Sequence, residues 1–169
     1  LTKKQTQRRN KMSIYMKIDG IDGKVTAKGH EKWIDVSSLQ WGVGRAISSA
    51  VGTSADREAS KPSISEVSVT KLMDESSPHI FTEACVGKGK KVIIDLCTVG
   101  TDQINTYMTY ELEECMISGY SVSTGGDRPS ESISLSFTKM TMKFTPYDKN
   151  GKPLSPLPAG YDMAAGTKI

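Results

Sequence analysis

Few side chains in this chain could carry out proton transfer or nucleophilic attack. His30 and His79 are its only two histidines. A helix is predicted to begin near His79, and Cys85 follows about 1.7 helical turns later, which places the thiol on the opposite side of that helix from the imidazole. His30 lies in a run of polar residues and is predicted to be solvated. The sequence therefore offers neither a cysteine–histidine pair nor an acid–base pair for catalysis.

The spacing of the cysteines and the short sequence motifs also give no indication of catalysis. Cys85, Cys97 and Cys115 are odd in number and contain no CxxC spacing, so reduced core thiols are favoured over a disulfide, a redox role or a zinc site. Nucleophile-elbow, Walker, HExxH and dinucleotide-binding motifs do not occur in the sequence. Residues 148–151 are typical of a turn rather than a calcium loop, because the glycine comes early and no bidentate glutamate follows. We expect a protein that is not an enzyme and holds no metal or cofactor.

The distribution of charge argues against a nucleic-acid-binding protein. The formal net charge is +3, but five basic residues lie in the first eleven positions, and removing those five charges leaves −2 for the rest. A nucleic-acid surface would need positive charge gathered on one face of the fold. Residues 1–11 hold no apolar stretch, so a signal peptide or membrane insertion is not expected there. We interpret residues 1–11 as a disordered tail or a non-native extension, with Met12 as a candidate natural start.

The elements that must position any functional surface are mainly strands. Ile133, Leu135 and Phe137 alternate with serines, which places the apolar side chains on one face of a strand and the hydroxyls on the other. The apolar set then shifts parity to Met140 and beyond. Such a shift requires a bulge or a bend that carries the chain from one sheet to another. A second shift of the same kind is predicted between Leu112 and Cys115.

The remaining pattern completes a single domain. Strands are predicted at 12–18, 63–71 and 91–98, with a β-like region around Trp33 and Trp41 whose two tryptophans are assigned to the core. Ser77 is predicted to cap one short helix, with Pro78 in its first turn. Residues 42–62 are predicted to be a long loop that orders against a partner. The prediction is a mainly β fold, a two-sheet β-barrel with one short flanking α-helix and a long extended loop over residues 12–147, followed at 148–169 by a turn and an extended C-terminal arm.

Several segments together resemble the haemolysin-coregulated protein (Hcp) family. They are SGYSVSTGGDRP at 118–129 with the alternating strand from Glu131 to Lys139, YMKIDGIDG at 15–23, KWI at 32–34 with QWG at 40–42, and 63–74 with the Ser-Pro start of the helix. The resemblance covers residues 12–147. It implies a β-barrel subunit of the inner tube of the bacterial type VI secretion system.

The resemblance also implies partners and a location. Six copies would form a homohexamer with a wide central pore, and stacked rings would form a tube inside a contractile sheath, with a spike protein at the tip and effector proteins in the lumen. The protein would assemble in the bacterial cytoplasm and leave through the machine itself, secreted to the exterior or into a target cell without a signal peptide. The alternatives are a phage-like tail-tube protein and, from a different class, a small-ligand β-barrel carrier, which would be monomeric.

Three groups of residues are assigned within this interpretation. The barrel core is expected to include Ile133, Leu135, Phe137, Trp33 and Trp41. Ser132, Ser134 and Ser136 form a small, neutral face suited to a pore lining or a subunit interface. The ring-stacking contact is assigned to Gly42, Val43, Gly44, Arg45, Ser54, Asp56, Arg57 and Glu58, and the family-signature corner to Gly125, Gly126, Asp127, Arg128 and Pro129.

Overall fold

The described residues form fourteen strands and one helix. The computed structural model describes residues 11–49, 57–100 and 103–169. The elements in chain order are β1 (Lys11–Ile18), β2 (Ile34–Val36), β3 (Ser38–Gln40), β4 (Val43–Gly44), β5 (Ile47–Ser49), β6 (Arg57–Ala59), β7 (Ser63–Ile64), β8 (Val67–Leu72), α1 (Ser77–Val86), β9 (Lys90–Val99), β10 (Ile104–Ser123), β11 (Ser130–Ser136), β12 (Lys139–Phe144), β13 (Leu157–Asp162) and β14 (Thr167–Lys168).

The main strands form two antiparallel sheets that share one long strand. Sheet A has the order β2-β1-β9-β10-β12-β13-β14, and sheet B has the order β3-β8-β11-β10. The first part of β10 belongs to sheet A and its last part to sheet B. The predicted mainly β fold with two sheets and one helix is confirmed, although the hydrogen-bonded path through the described strands does not close into a continuous ring.

Both predicted shifts of parity mark the change from one sheet to the other. β11 pairs in sheet B and β12 pairs in sheet A, and Phe137 and Thr138 join them. In β10 the register shifts between Leu112 and Cys115, where Glu114 has a φ of 49°. The two bends touch, because the Thr138 amide donates to the Glu113 carbonyl at 3.2 Å. One corner therefore turns both strands.

The inward faces of the two sheets form the core. Ile133 and Leu135 are fully buried there, and Phe137 is 8% exposed. Trp41 is half-buried, packs against the core and meets the Tyr110 ring edge-on at 5.6 Å. Trp33 is also half-buried. The core consists mainly of aliphatic side chains. Burying each of them stabilises the folded state by about 1.5–3 kcal/mol.

The helix begins one residue away from the predicted cap. The N-cap is Ser76 rather than Ser77, and its side chain makes no capping hydrogen bond to the helix. Ser77 is the first helical residue, with Pro78 in the first turn where a missing amide hydrogen costs nothing. The Gly87 amide donates to the Glu83 carbonyl at 2.9 Å as the helix ends. Ile80 is the helical residue that is fully buried, and it joins α1 to the core.

The segment predicted as a long loop is a two-tiered β-hairpin. β4 pairs with β7 and β5 pairs with β6, and we call the described parts of 42–65 the arm. Serine hydroxyls complete its hydrogen bonding, since the Gly42 amide donates to Ser65 Oγ and the Ala46 amide donates to Ser60 Oγ, both at 2.9 Å. The prediction of a segment without strands is wrong, because local pairing of this kind satisfies the backbone without any long alternating apolar pattern.

The tail beyond Tyr147 adds two strands to sheet A. Asp148 stabilises the predicted turn by accepting hydrogen bonds from the Asn150 and Lys152 amides at 2.8 and 2.9 Å. β13 then pairs with β12 over six positions, and Pro158 lies opposite Lys143. A proline fits here because β14 pairs only with Tyr161 and Asp162, which leaves the outer side of the first part of β13 free of a neighbouring described strand.

Candidate assembly surfaces

The outward side of sheet B carries small polar side chains on all four strands. We call this surface the hydroxyl face, and its residues are Ser38, Gln40, Ser68, Thr70, Leu72, Met116, Gly119, Ser121, Ser123, Ser130, Ser132, Ser134 and Ser136. Ser132 lies at its centre, opposite Thr70 on one side and Ser121 on the other. Ser132 and Ser136 are exposed and Ser134 is half-buried. The alternation that buries Ile133 and Leu135 places these hydroxyls outside.

The outward side of sheet A is charged. Lys91 Nζ lies 3.0 Å from Glu111 Oε2, and Lys139 Nζ lies 3.5 Å from Glu113 Oε2 across neighbouring strands. The Glu111 hydrogen bond is the largest cause that raises the pKa of Lys91. Such exposed pairs contribute about 0–1 kcal/mol each, but they make this a surface suited to water or a polar partner. The two sheets therefore present outer faces of opposite character.

Sheet B has two unpaired edges within the described chain. β3 pairs with β8 only, and residues 116–123 of β10 pair with β11 only. Open edges expose backbone amides and carbonyls that pair readily with another strand. Natural proteins seldom leave such an edge without a covering element or a partner.

The arm presents exposed apolar side chains. Val43 is 60% exposed and Ile47 is 53% exposed, while Gly44 and Arg45 are exposed beside them. Arg57 and Glu58 belong to β6, where their backbone pairs with Ser49 and Ser48. Ser54 and Asp56 lie outside the described residues. The positions predicted for ring stacking that can be described thus all lie in the arm.

A groove of about 220 Å³ separates the base of the arm from the end of sheet A. Trp41, Val43 and Ile64 line it on the arm side, and Met142 and Tyr161 line it on the sheet side. The Lys61 side chain also lies near Gly166, which has a φ of 70°. The C-terminal strands therefore back the base of the arm.

The corner at residues 125–129 is fastened to the connection between β8 and α1. Arg128 Nε donates to the Met73 carbonyl at 2.8 Å, and the Met73 amide donates to the Pro129 carbonyl at 2.9 Å. Gly126 has a φ of 105°, a conformation that side chains disfavour. Gly125 and Asp127 are exposed beside it. Arg128 therefore ties the corner to the backbone of the connection between β8 and α1.

His30 is buried, so the prediction of a solvated histidine is wrong. It is 5% exposed and donates from Nε2 to Asp95 Oδ2 at 2.7 Å. The Tyr15 and Trp33 rings lie 4.9 and 4.6 Å from its ring centre. Thr109 donates to the other Asp95 oxygen at 2.7 Å. The segment that carries His30 folds over the outside of sheet A, which a local polar sequence does not reveal.

The same cluster contains a thiol but not the geometry of a catalytic triad. Cys97 Sγ lies 3.9 Å from His30 Nε2, the nitrogen that already donates to Asp95. A relay would need the carboxylate on the opposite ring nitrogen. Burial raises the pKa of the Cys97 thiol, although a hydrogen bond with Thr106 acts in the opposite direction. The cluster therefore lacks an activated nucleophile.

The three cysteines are free thiols, as predicted, but they are not all in the core. Cys97 and Cys115 are buried and Cys85 is exposed on α1. Burial raises the pKa of Cys115 to about 12. Among the described residues, no group of three or more acidic, histidine or cysteine side chains is arranged to hold a metal ion.

A buried ion cluster joins sheet B to the start of α1, and the sequence interpretation missed it. Lys71 is fully buried, and its ammonium donates to Glu131 Oε2 at 2.8 Å and to Asp74 Oδ1 at 2.9 Å. Tyr120 donates to the second Glu131 oxygen at 2.6 Å. Burial would raise the pKa of Glu131, but the hydrogen bonds from Lys71 and Tyr120 outweigh burial and lower it. Lys71, Asp74 and Glu131 thus form a charged unit that depends on all three members.

A signal for this cluster was present in the alternation. Lys71 has the same parity as Val67 and Val69, and Glu131 has the same parity as Ile133 and Leu135. The side chains at these positions of β8 and β11 all point inward, and Lys71 lies directly opposite Glu131 in the strand register. Opposite charges at inward positions of two amphipathic strands indicate a buried pair, once the strands are known to be neighbours.

These features define a class of protein before any relative is considered. It is a two-sheet β protein whose distinctive surfaces are an uncharged sheet face, unpaired strand edges and a hairpin with exposed apolar side chains. Comparison with known families places the chain within that class. The family described as "Type VI secretion system effector, Hcp" matches residues 15–144. The chain belongs to the Hcp family and is a type VI secretion system protein.

Individual relatives agree with this membership. The chain is 27% identical over 158 residues to Protein hcp1 of Pseudomonas aeruginosa, a match that covers 90% of this chain and 95% of the relative. A solved type six secretion system protein superposes with a TM-score of 0.85 at 29% identity, covering 94% of this chain and all of the other. Hcp1 from Salmonella typhimurium shares the fold with a TM-score of 0.75 at 24% identity, covering 94% and 99%.

Membership of this family implies a secreted protein that forms ring-shaped oligomers. Among the described residues, no helix is both long enough and apolar enough to cross a bilayer.

Proposed function

We propose that this protein is the subunit of a type VI secretion inner tube. Six copies form a ring, rings stack into a tube inside the contractile sheath, and the tube is expelled behind a spike with effector proteins in its lumen. The observation that carries the proposal is the hydroxyl face, an exposed and uncharged sheet surface. A lone domain in water normally covers such a surface with charges of both signs, whereas the lining of a pore need not.

Edge pairing supports a ring. The two open edges of sheet B, at β3 and at residues 116–123, lie on opposite sides of the hydroxyl face. Pairing one edge of a copy with the other edge of its neighbour is a heterologous contact, which closes into a ring when the rotation is a whole fraction of a turn. Such pairing keeps the hydroxyl face continuous around the inside of the ring.

The arm is assigned to stacking between rings. Exposed Val43 and Ile47 offer apolar area along the arm. Ser60 and Ser65 fix the backbone of its base, so the arm keeps its direction when a neighbour approaches. We propose that Ser54 and Asp56 of the same segment, and Arg57 and Glu58 in β6, take part in the same contact.

The assembly is tested by light scattering and electron microscopy of the purified chain. A hexamer of 18.4 kDa subunits has a mass of about 110 kDa and forms closed rings. A strictly monomeric particle at high concentration would overturn the proposal and favour a small-ligand carrier. A phage-like tail-tube protein would form similar rings, and loss of secretion after sheath deletion separates the two.

The orientation of the ring is tested by labelling. Ser132→Cys is placed in a Cys85→Ser background, where the two remaining thiols are buried. A small maleimide should label the ring while a maleimide on a large polymer should not. Lys17→Cys, at an exposed position on the outer side of sheet A, is the control and should react with both reagents. Equal reaction of Ser132→Cys with the large reagent would place the hydroxyl face outside.

A further inference from the structure

The hydroxyl face lacks charge although most of its positions are open to solvent. Charged residues make up 24% of the chain, yet none of the outward positions in the four strands of sheet B carries one. Burial does not explain this, since Ser38, Ser121, Ser132 and Ser136 are exposed. Exposed strand positions ordinarily accept lysine and glutamate.

Charges appear as soon as the strands end or the side chains turn inward. Glu66 precedes β8, and Asp127 and Arg128 lie in the hairpin between β10 and β11. Inside the same strands, Lys71 and Glu131 are fully buried and paired with each other. Charged residues are therefore absent from the hydroxyl face in particular, and not from this part of the chain in general.

A face of this composition interacts with polar groups of either kind. A hydroxyl both donates and accepts hydrogen bonds, so it can meet an amide, a carboxylate or an ammonium group directly or through water. It has no fixed charge and so creates no long-range field, whereas a ring of like charges would attract one sign of cargo and repel the other. Such contacts are weak, and their strength does not depend on the sign of the charge on the cargo.

We propose that the hydroxyl face makes retention of cargo in the lumen independent of the cargo's net charge, so that acidic and basic proteins of the same size and shape are carried equally. The inference rests on the proposed function, in which this face lines the pore. Its partner class is a small folded protein with a hydrophilic surface, recognised through hydrogen bonds rather than through charge.

The test uses purified rings of the full chain and two probes. The probes are surface-charge variants of one small monomeric protein, one acidic and one basic, and the measured quantity is the ratio of acidic to basic probe that co-elutes with rings. Wild-type rings should give a ratio near one, with no change between about 0.01 M and about 1 M salt, where the screening length falls from about 30 Å to about 3 Å.

Matched variants locate the effect. Ser132→Asp should shift the ratio by about threefold to tenfold towards the basic probe, and Ser132→Lys should shift it equally towards the acidic probe, because each copy adds one like charge to the pore. High salt should remove both shifts. Lys17→Gln and Glu111→Gln change the charge by the same amounts on the outer side of sheet A and should leave the ratio near one.

The outcomes separate this inference from the assembly on which it rests. If the wild-type chain forms no rings by light scattering, the proposed function fails before any probe is added. If rings form and the wild type favours one probe more than threefold in a salt-dependent way, charge independence is overturned. If rings form and neither Ser132 variant changes the ratio, the hydroxyl face does not meet the cargo. Undetectable retention of both probes by the wild type supports the inference only when the Ser132 variants acquire opposite preferences.

Discussion

Lys71 shows how one residue can couple two elements of the fold. Its ammonium lies between Glu131 of β11 and Asp74 before α1, and all three side chains are almost completely removed from water. The attraction between buried opposite charges offsets their lost hydration only while every partner is present. The cluster therefore makes the attachment of the helix to sheet B sensitive to single substitutions.

Replacing Lys71 with methionine should destabilise the protein strongly. The side chain keeps a similar length but leaves two carboxylates without their cation, which costs about 3–5 kcal/mol. Urea unfolding measures the change in the free energy of unfolding. Lys139→Met is the control, because its ion pair with Glu113 is partly exposed and contributes about 0–1 kcal/mol. Equal effects of the two substitutions would contradict the role assigned to Lys71.

The same cluster should make stability fall in acid. The folded-state pKa of Glu131 is lowered from its ordinary value of 4.5, since hydrogen bonds from Lys71 and Tyr120 outweigh the effect of burial. A lowered pKa gives stabilisation that is complete above the unfolded-state pKa and is lost as the pH falls through the folded-state pKa. Unfolding free energies from pH 7 downward should therefore drop more steeply below pH 4.5 for the wild type than for Glu131→Gln. A constant difference between the two proteins over that range would refute this linkage.

At the scale of elements, alternate residues of β11 face the core and the hydroxyl face. Leu135→Asp should unfold the domain, because it places an unpaired charge in a fully buried position and costs more than about 4 kcal/mol. Ser136→Asp, the next residue, is exposed on the hydroxyl face and should change stability by no more than about 0.5 kcal/mol. Circular dichroism and thermal unfolding compare the stability of the two variants. A folded Leu135→Asp protein would show that the core tolerates an unpaired charge at position 135.

The arm is expected to act in assembly without stabilising the subunit. Ile47→Ser removes an exposed apolar side chain from β5 and should change the free energy of unfolding by no more than about 0.5 kcal/mol, while shortening the stacks seen by electron microscopy. Val86→Ser removes a similar side chain that is 75% exposed on α1 and serves as the control. If Ile47→Ser unfolds the monomer, the arm contributes to the stability of the subunit and the assignment to assembly is wrong.

At the scale of the whole molecule, ring formation should protect particular backbone amides. In a ring closed through sheet B, amides of β3 and of residues 116–123 are paired between copies, so their hydrogen exchange should slow by about tenfold or more relative to a monomeric variant. The central strand β9 is paired on both sides within one copy and should exchange slowly in both states. Unchanged exchange at both edges of sheet B would exclude this mode of closure.

The sequence alone determined the elements and faces that depend on neighbouring residues. Alternation at Ile133, Leu135 and Phe137 predicts an amphipathic strand, and the parity shift after Phe137 predicts a change of sheet, because side-chain direction along a strand follows directly from a period of two. The Ser-Pro start likewise predicts the beginning of α1 to within one residue of its cap.

Tertiary structure decided every feature that needs partners distant in sequence. His30 is buried because its segment lies over Asp95, 65 residues away, and Lys71 is neutralised by Glu131, 60 residues away. The arm forms strands because β4 pairs with β7 and β5 pairs with β6, although none of these segments has a strong strand pattern of its own. Local preferences act between neighbours, whereas burial, charge pairing and strand pairing are set only when the folded chain brings separate segments together.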